Sequence, residues 1–532
     1  MGYPLITCGT IRVDFDRHFN VWKPARIESK AVNEAASGKT ETLTFYERWK
    51  VEAAIRRLKG ETILQLEAFY RAAKDGTSFS MWWDRSLGLC AFFEDGLYTI
   101  DGDTGTFSRS VAAHYVGRDG LLKETASGTP RYPSGKFGGG LLLEGSSANA
   151  LLYSEQFDHA TWVKTNVTVS ANTTDIDDPK GENNADKCTA TANNGTIVQT
   201  LSGAVGTNDA CLSVWMRAAV GCDVTLTITD DAGSFTESNE YNITSEWVRY
   251  ELAYENTGAS NPNNWKVQIT LDNNGDIVYL YGVQLEGGAH KRYATGYMKT
   301  EATIATRLEE QLVYTIIEGR HFNRLKGLIS FWEYHNWEYD EGGGGGDDPV
   351  RVMLQITDLS DNPVLTIYRN DSSKLIVKIE DLAGNDYTAE SVTNLPHRQW
   401  NHIAFAWDIT DRIYTPPTWH AGYLYLNGSG ENWMIMNDEI LPPTPTKLYL
   451  GNSAAGSQEA DFIIDDLMIY LEADGGIGST NTTVSRIYNA GRSLGLRRNY
   501  FSDLQLADNK FSPTLLAGGK VYDFELIAEE VL

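Results

Sequence analysis

Between Leu43 and Ile55 apolar and polar positions alternate: Leu43, Phe45, Trp49, Val51, Ala53 and Ile55 fall on one side, and Thr44, Arg48, Lys50, Glu52 and Arg56 on the other. A period of two predicts a long half-buried strand. After Gly60 the spacing changes. Leu66, Phe69, Tyr70 and Ala73 follow the i, i+3, i+4, i+7 rule of an amphipathic helix that Gly76 closes, and SFSMWWD then alternates again. The first 98 residues therefore read as an α+β unit of strand, helix and strand. Beyond it helices nearly vanish. Short runs rich in Val, Ile, Thr and Tyr, such as VTLTITD, WVRYELAY, WKVQITL, LIVKIED and GYLYLNG, are separated by Asn, Asp and Gly clusters. That is the pattern of antiparallel sandwiches.

The expected architecture is mainly β and multidomain, with an α+β domain over 1–98 and an extended connector over 99–150. Two antiparallel sandwich or jelly-roll domains follow over 151–308 and 309–495, then a C-terminal β extension over 496–532. The segment from Arg307 to Gly319 reads as the crossover between the sandwiches, and the glycine run Gly342 to Gly346 as a loop or hairpin tip that cannot pack. A length of 532 residues fits several cores rather than one.

Charge narrows the function classes. A formal net charge of −26 repels phosphate backbones, and no basic stripe offsets it, so nucleic acid is not an expected partner. No apolar run is long enough to span a bilayer, and the N-terminus MGYPLITCGTIRVDF lacks the features of a secretory signal, which predicts synthesis and assembly in a cytoplasm. The five cysteines, Cys8, Cys90, Cys188, Cys211 and Cys222, show no C-x-x-C spacing and read as buried thiols.

Three stretches carry a family resemblance. GTFSRSVAAHYVGRDGLLKETASGTPRY, GLLLEGSSANALLYSEQFDHATW and NNADKCTAT, with the closing VYLYGVQLEGGAHKRYATGYMKTEATIATR, resemble a pattern of tailed-bacteriophage structural proteins that frames a carbohydrate-binding-like β-sandwich. The chain departs from that pattern at Gly296, where the family usually has Ser, and at Gly287, where it usually has an acidic residue. GLISFWEYHNW, RQWNHIAFAWD, GYLYLNG, LYLGN, FIIDDLMIYLEA and RIYNAG look like a laminin-G or concanavalin-A-like jelly roll. Residues 41–84 are similar to the amino-terminal domain of phage tail-tip proteins. The resemblances imply a tail-associated virion protein whose first domain docks onto other tail proteins and whose sandwiches meet a host-surface glycan as a homo-oligomer. Two rivals stand beside this: an architectural capsid or tail decoration protein, and a polysaccharide depolymerase.

A glycosidase needs two carboxylates across the scissile bond. No strand of the E-x-D-x-E kind exists here, and Glu338, Asp340 and Glu341 read as a solvated acidic loop. No H-E-x-x-H, P-loop, G-x-S-x-G or dinucleotide fingerprint occurs, so no catalytic residue is expected. Aromatic rings cover the apolar face of a pyranose. Trp162, Trp247, Trp332 and Trp400 read as packing residues, whereas Trp337, Tyr339, Trp419 and Trp433 lie nearer loops and are the candidate ligand contacts, with Trp433 first because the Gly428-Ser429-Gly430 turn brings it towards the rim. Calcium is the one cofactor to weigh. Glu155 and Glu286 close the first sandwich at its two ends, and Asp465 and Asp466 lie at what reads as a strand end, where hydrogen bonding outweighs metal binding.

Overall fold

The protein is described from a computed structural model. Residues 105–492 are described apart from 118, 134–139, 202–208, 231–235, 256–263, 289–290, 336–349, 371, 412, 416–417, 437–440, 457 and 473–475, together with 87–93, Leu66, Ala68, Phe69 and the backbone of the strands near both termini. The architecture is mainly β, in multiple antiparallel sheets.

Strands from near both ends of the chain share one sheet. Its order is Ile11–Asp14, Leu5–Cys8, Phe79–Trp82, Tyr500–Leu506, Tyr522–Glu530, Thr40–Leu58, Val21–Glu34, with Thr514–Leu515 on the side of Tyr522–Glu530. The C-terminal segment is therefore not an extension of the last sandwich. Tyr522–Glu530 pairs with Thr40–Leu58, from Tyr522↔Leu58 to Glu529↔Lys50, and completes the N-terminal domain. Of the helix expected after Gly60, Leu66, Ala68 and Phe69 are helical, with Leu66 and Phe69 buried. The rest of that helix lies outside the described residues.

The jelly roll is inserted into this base between Phe79–Trp82 and Tyr500–Leu506. Its nine-stranded sheet contains Lys326–His335, Asn401–Asp408, Thr418–Leu426 and Phe462–Tyr470, and it also takes Leu87–Phe92 and Leu141–Leu143, both paired with Phe462–Tyr470. Its seven-stranded sheet takes Thr106–Ser108 against Gln311–Thr315. Two expectations are corrected here. Residues 99–150 are not merely an extended connector, and 307–319 are not merely a crossover, because both supply jelly-roll strands. The cause is non-local pairing: Leu141 meets Ile464 across more than three hundred residues of chain.

The first sandwich is inserted in turn into the jelly roll. Ser147–Asn149 and Ala305–Arg307 pair at its neck. Two five-stranded sheets lie between them, enclosing a core that includes Trp162, Val214, Leu226, Trp265 and Leu280. Cys222–Asp230 shows why this sequence is a strand. Cys222, Val224, Leu226, Ile228 and Asp230 are buried, and Asp223, Thr225, Thr227 and Thr229 between them are half-buried, as a sheet with one covered face requires. Cys188, Cys211 and Cys222 are free, buried thiols.

Phe462–Tyr470 behaves differently, with all nine residues buried. Its inner face joins the main jelly-roll core, and Met468 and Tyr470 on its outer face are covered by the helix Thr482–Ala490 through Val484 and Ile487. The Asn481 side chain caps that helix by accepting from the N–H groups of Thr483 and Val484. Asp465 and Asp466 lie in the middle of this strand, not at its end: the register against Lys326–His335 shifts there, and Asp466 takes φ 51°. The site is a β-bulge.

Candidate functional site

Two groups of residues stand out, one on the outer face of the nine-stranded sheet and one buried where the sandwiches meet. On the outer face, Thr418–Leu426 turns back into Ser429–Ile435 through Asn427 and Gly428, with φ 51° and 76°. Two residues with positive φ make the type I′ turn that matches strand twist. The turn is therefore Asn427-Gly428, one residue earlier than the Gly428–Gly430 turn expected, and Trp433 lies in the strand opposite Tyr423 rather than in a loop. Its indole stacks on His420 at 4.5 Å and meets Tyr423 edge-on at 4.6 Å, and Gly478 lies over its far edge. Trp433 is half-buried. His420 and Tyr423, absent from the sequence candidates, complete this aromatic group; the clue was alternation in WHAGYLYLN, obscured by a bulge between His420 and Gly422.

Trp419 is 39% exposed and pairs in register with Tyr414, apart from the Trp433 group. Trp337 and Tyr339, like Glu338, Asp340 and Glu341, lie outside the described residues. The tryptophans expected to pack do so, with Trp162 and Trp332 buried and Trp247 and Trp400 half-buried. Trp332 and His402 lie beside Tyr488 of the helix, and Ser330 Oγ is 2.8 Å from His402 Nε2. Burial pushes the His402 imidazole down to about 3, so it is neutral at pH 7.

The second group joins the domains. Arg131 is fully buried; it donates to the His114 carbonyl at 3.0 Å, to Glu310 at 2.7 Å and to Glu144. Arg307 pairs with Glu144 at 2.9 Å and Arg109 with Glu310 at 3.3 Å. Beside them, Asp461 of the jelly roll pairs with Arg351 at 2.9 Å and accepts from Tyr293 and from the Gly145 N–H. Burial alone would raise the Asp461 carboxyl, but Lys291 and Arg351 overcome it and hold the group well below the usual carboxylate range. Burial would likewise raise the Glu144 carboxyl, and Arg131 and Arg307 outweigh it and lower the group.

Glu144, Gly145, Tyr293 and Arg307 sit in the stretches GLLLEGSS and YATGYMKTEATIATR that frame the first sandwich, so part of what the motif specifies is a joint. Gly296 is explained by it: a Cβ there would stand 2.2 Å from Arg131 Nη1 and 2.9 Å from the His114 carbonyl oxygen. Nothing in the structure explains Gly287.

The carboxylates considered for calcium are engaged elsewhere. Glu155 accepts from Tyr281 at 2.9 Å and Tyr297 at 3.2 Å and pairs with Lys299 at 2.8 Å. Glu286 accepts from Ser147, from Gln284, and from the backbone and hydroxyl of Thr295. They serve separate hydrogen-bond networks rather than one site. Asp465 accepts from the Phe93 N–H at 3.1 Å and pairs with Arg492 at 2.7 Å, and Asp466 occupies the bulge beside it. Among the described residues no three His, Cys, Asp or Glu side chains come together as a metal cluster.

Residues 346–473 match the concanavalin A-like lectin/glucanases superfamily. The jelly roll is thus of the laminin-G type, extended here by strands from residues 87–143. That description spans proteins that bind sugar and proteins that cut it, so it fixes a fold and not an activity. A search of curated protein sequences finds no match. Among solved structures, similarity extends to the receptor binding domain of botulinum neurotoxin type G, with 14% identity over 34% of this chain and 42% of that one and a TM-score of 0.23. It also extends to the enzymatically active domain of tailspike protein 4 of bacteriophage CBA120, with 15% identity over 26% of this chain and 21% of that one and a TM-score of 0.21. A heptameric SAP-like pentraxin from Limulus polyphemus shows 12% identity over 34% of this chain and 80% of that one, with a TM-score of 0.23. The chain spans less than half of the neurotoxin domain and of the tailspike domain.

Proposed function

We propose that the chain is a non-catalytic adhesin of a tailed-bacteriophage virion, anchored to the tail by the sheet that both termini build and adsorbing to host-surface glycans through its two sandwiches. The observation that carries this reading is the nesting: the base sheet holds both ends of the chain, the jelly roll leaves and returns to it, and the first sandwich leaves and returns to the jelly roll. A chain threaded in this way carries its two sandwiches as successive insertions into the base sheet. The resemblance of the two motif stretches to tailed-phage proteins supplies the setting, and the laminin-G-type jelly roll supplies a fold used for saccharides. Weak sugar contacts become useful when many are presented together, which suits a repeated virion component.

The architectural rival has one observation in its favour, the half-burial of Trp433 against His420 and Tyr423. Both readings require the chain to be in the particle. Labelling purified virions with antibody raised against this chain tests it: label on the tail is expected, and particles without the chain overturn the proposal.

A further inference from the structure

The strand Val21–Glu34 forms one border of the base sheet, and among the described residues its outer edge has no partner. It pairs with Thr40–Leu58 from Val21↔Ala54 to Glu34↔Thr40, with a register shift between Ser29 and Lys30 where Thr40–Leu58 carries the extra residue. The third strand, Tyr522–Glu530, reaches Thr40–Leu58 only from Lys50 to Leu58. Among the described residues the hairpin from Ala25 outward is therefore a two-stranded arm of roughly 30 Å, at about 3.3 Å per residue. A two-stranded ribbon is marginal alone in water, and a long bare edge invites another strand.

The edge has two natural limits. Pro24 has no N–H to donate, which is tolerated at an edge but ends any added ladder there, and Glu34 is the last residue of the strand. The midpoint of 24 and 34 is Ser29. An antiparallel second copy centred on that residue sets Ser29 opposite Ser29, Glu28 opposite Lys30 twice, Ile27 opposite Ala31 twice and Ala25 opposite Asn33 twice. Opposite charges meet beside the axis, Arg26 falls opposite Val32 further out, and each Pro24 falls opposite Glu34 at the limits.

We infer that Val21–Glu34 is a self-pairing edge through which two copies of this chain associate about a two-fold axis at Ser29, joining their base sheets into one. A two-fold contact is self-complementary by construction, and the interval between Pro24 and Glu34 offers two Glu28–Lys30 pairs about such an axis. The inference stands apart from the virion reading, since it requires only the base sheet.

The test uses the full chain, with mass measured by light scattering after size exclusion. Twice the 59.1 kDa chain mass is expected. Glu28→Lys sets like charges opposite each other at two places and weakens pairing about tenfold or more, and Lys30→Glu does the same. Combining E28K with K30E exchanges the charges and restores the dimer. Within its own hairpin Glu28 stands at the register position opposite Glu47, so E28K removes a like-charge pair there and does not threaten the fold. Three results each overturn the inference: a monomeric wild-type chain, as expected if the edge serves a different protein; a mass unchanged by E28K; or a double variant that stays monomeric.

Discussion

Replacing Arg131 by methionine probes the joint most sharply. The guanidinium is fully buried between two carboxylates, so Arg131→Met removes the cation that Glu144 and Glu310 share. Removing one partner of a buried ion pair costs roughly 3–5 kcal/mol, because the remaining charge is stranded. Here neither carboxylate is left bare. Glu144 keeps Arg307 at 2.9 Å and the Gly296 N–H at 2.6 Å, while Glu310 keeps Arg109 at 3.3 Å and the Glu144 N–H at 3.0 Å. The expected loss therefore lies at the low end, about 3 kcal/mol. For a domain the size of the jelly roll this lowers the melting temperature by roughly 6–12 °C. Scanning calorimetry reads it, and adding Glu144→Gln to Arg131→Met should recover part of the loss by removing one stranded charge. A shift under about 1 °C would refute the claim that the cluster holds the domains together.

Other outcomes follow from the same geometry. Gly296→Ala forces a Cβ into the Arg131 guanidinium and the His114 carbonyl, and calorimetry should show destabilisation of about 1–3 kcal/mol; a neutral result would mean the joint relaxes freely. His402, neutral in the fold with its pKa near 3, binds its proton only on unfolding once the pH drops below about 6.5. Its contribution is complete above that pH and is lost as pH falls towards 3. Urea titrations of His402→Gln between pH 7 and 4 should therefore show a shallower acid loss than the parent, and an identical slope would contradict the assignment. Removing residues 1–82 together with 499–532 should leave the nested sandwiches folded, whereas removing 1–98 alone should not, because Leu87–Phe92 is then lost from the jelly roll; circular dichroism and melting of the two truncations distinguish the cases.

Local periodicity was readable wherever one face of a strand is covered, as in Cys222–Asp230, where side-chain direction follows from alternation alone. The order of partners was not. Domain limits drawn along the chain assume that neighbours in sequence pack together, and Leu141–Leu143 against Phe462–Tyr470, or Tyr522–Glu530 against Thr40–Leu58, break that assumption without leaving a local sign. The joint was half legible. The stretches around Glu144 and Arg307 were recognisable as a frame, but which charges meet depends on Arg131, Glu310 and Asp461 arriving from other segments. Trp433 was misplaced for a smaller reason: three consecutive small residues, Gly428, Ser429 and Gly430, read as the turn, while Asn427 takes the first left-handed position.

The proposed adhesin adsorbs to glycan without cutting it. The direct measurement incubates the purified full-length protein with host capsule or lipopolysaccharide and records bound protein and newly formed reducing ends in the same sample. Retention on the glycan with no new reducing ends is the predicted result; release of reducing ends, or no retention at all, would contradict it.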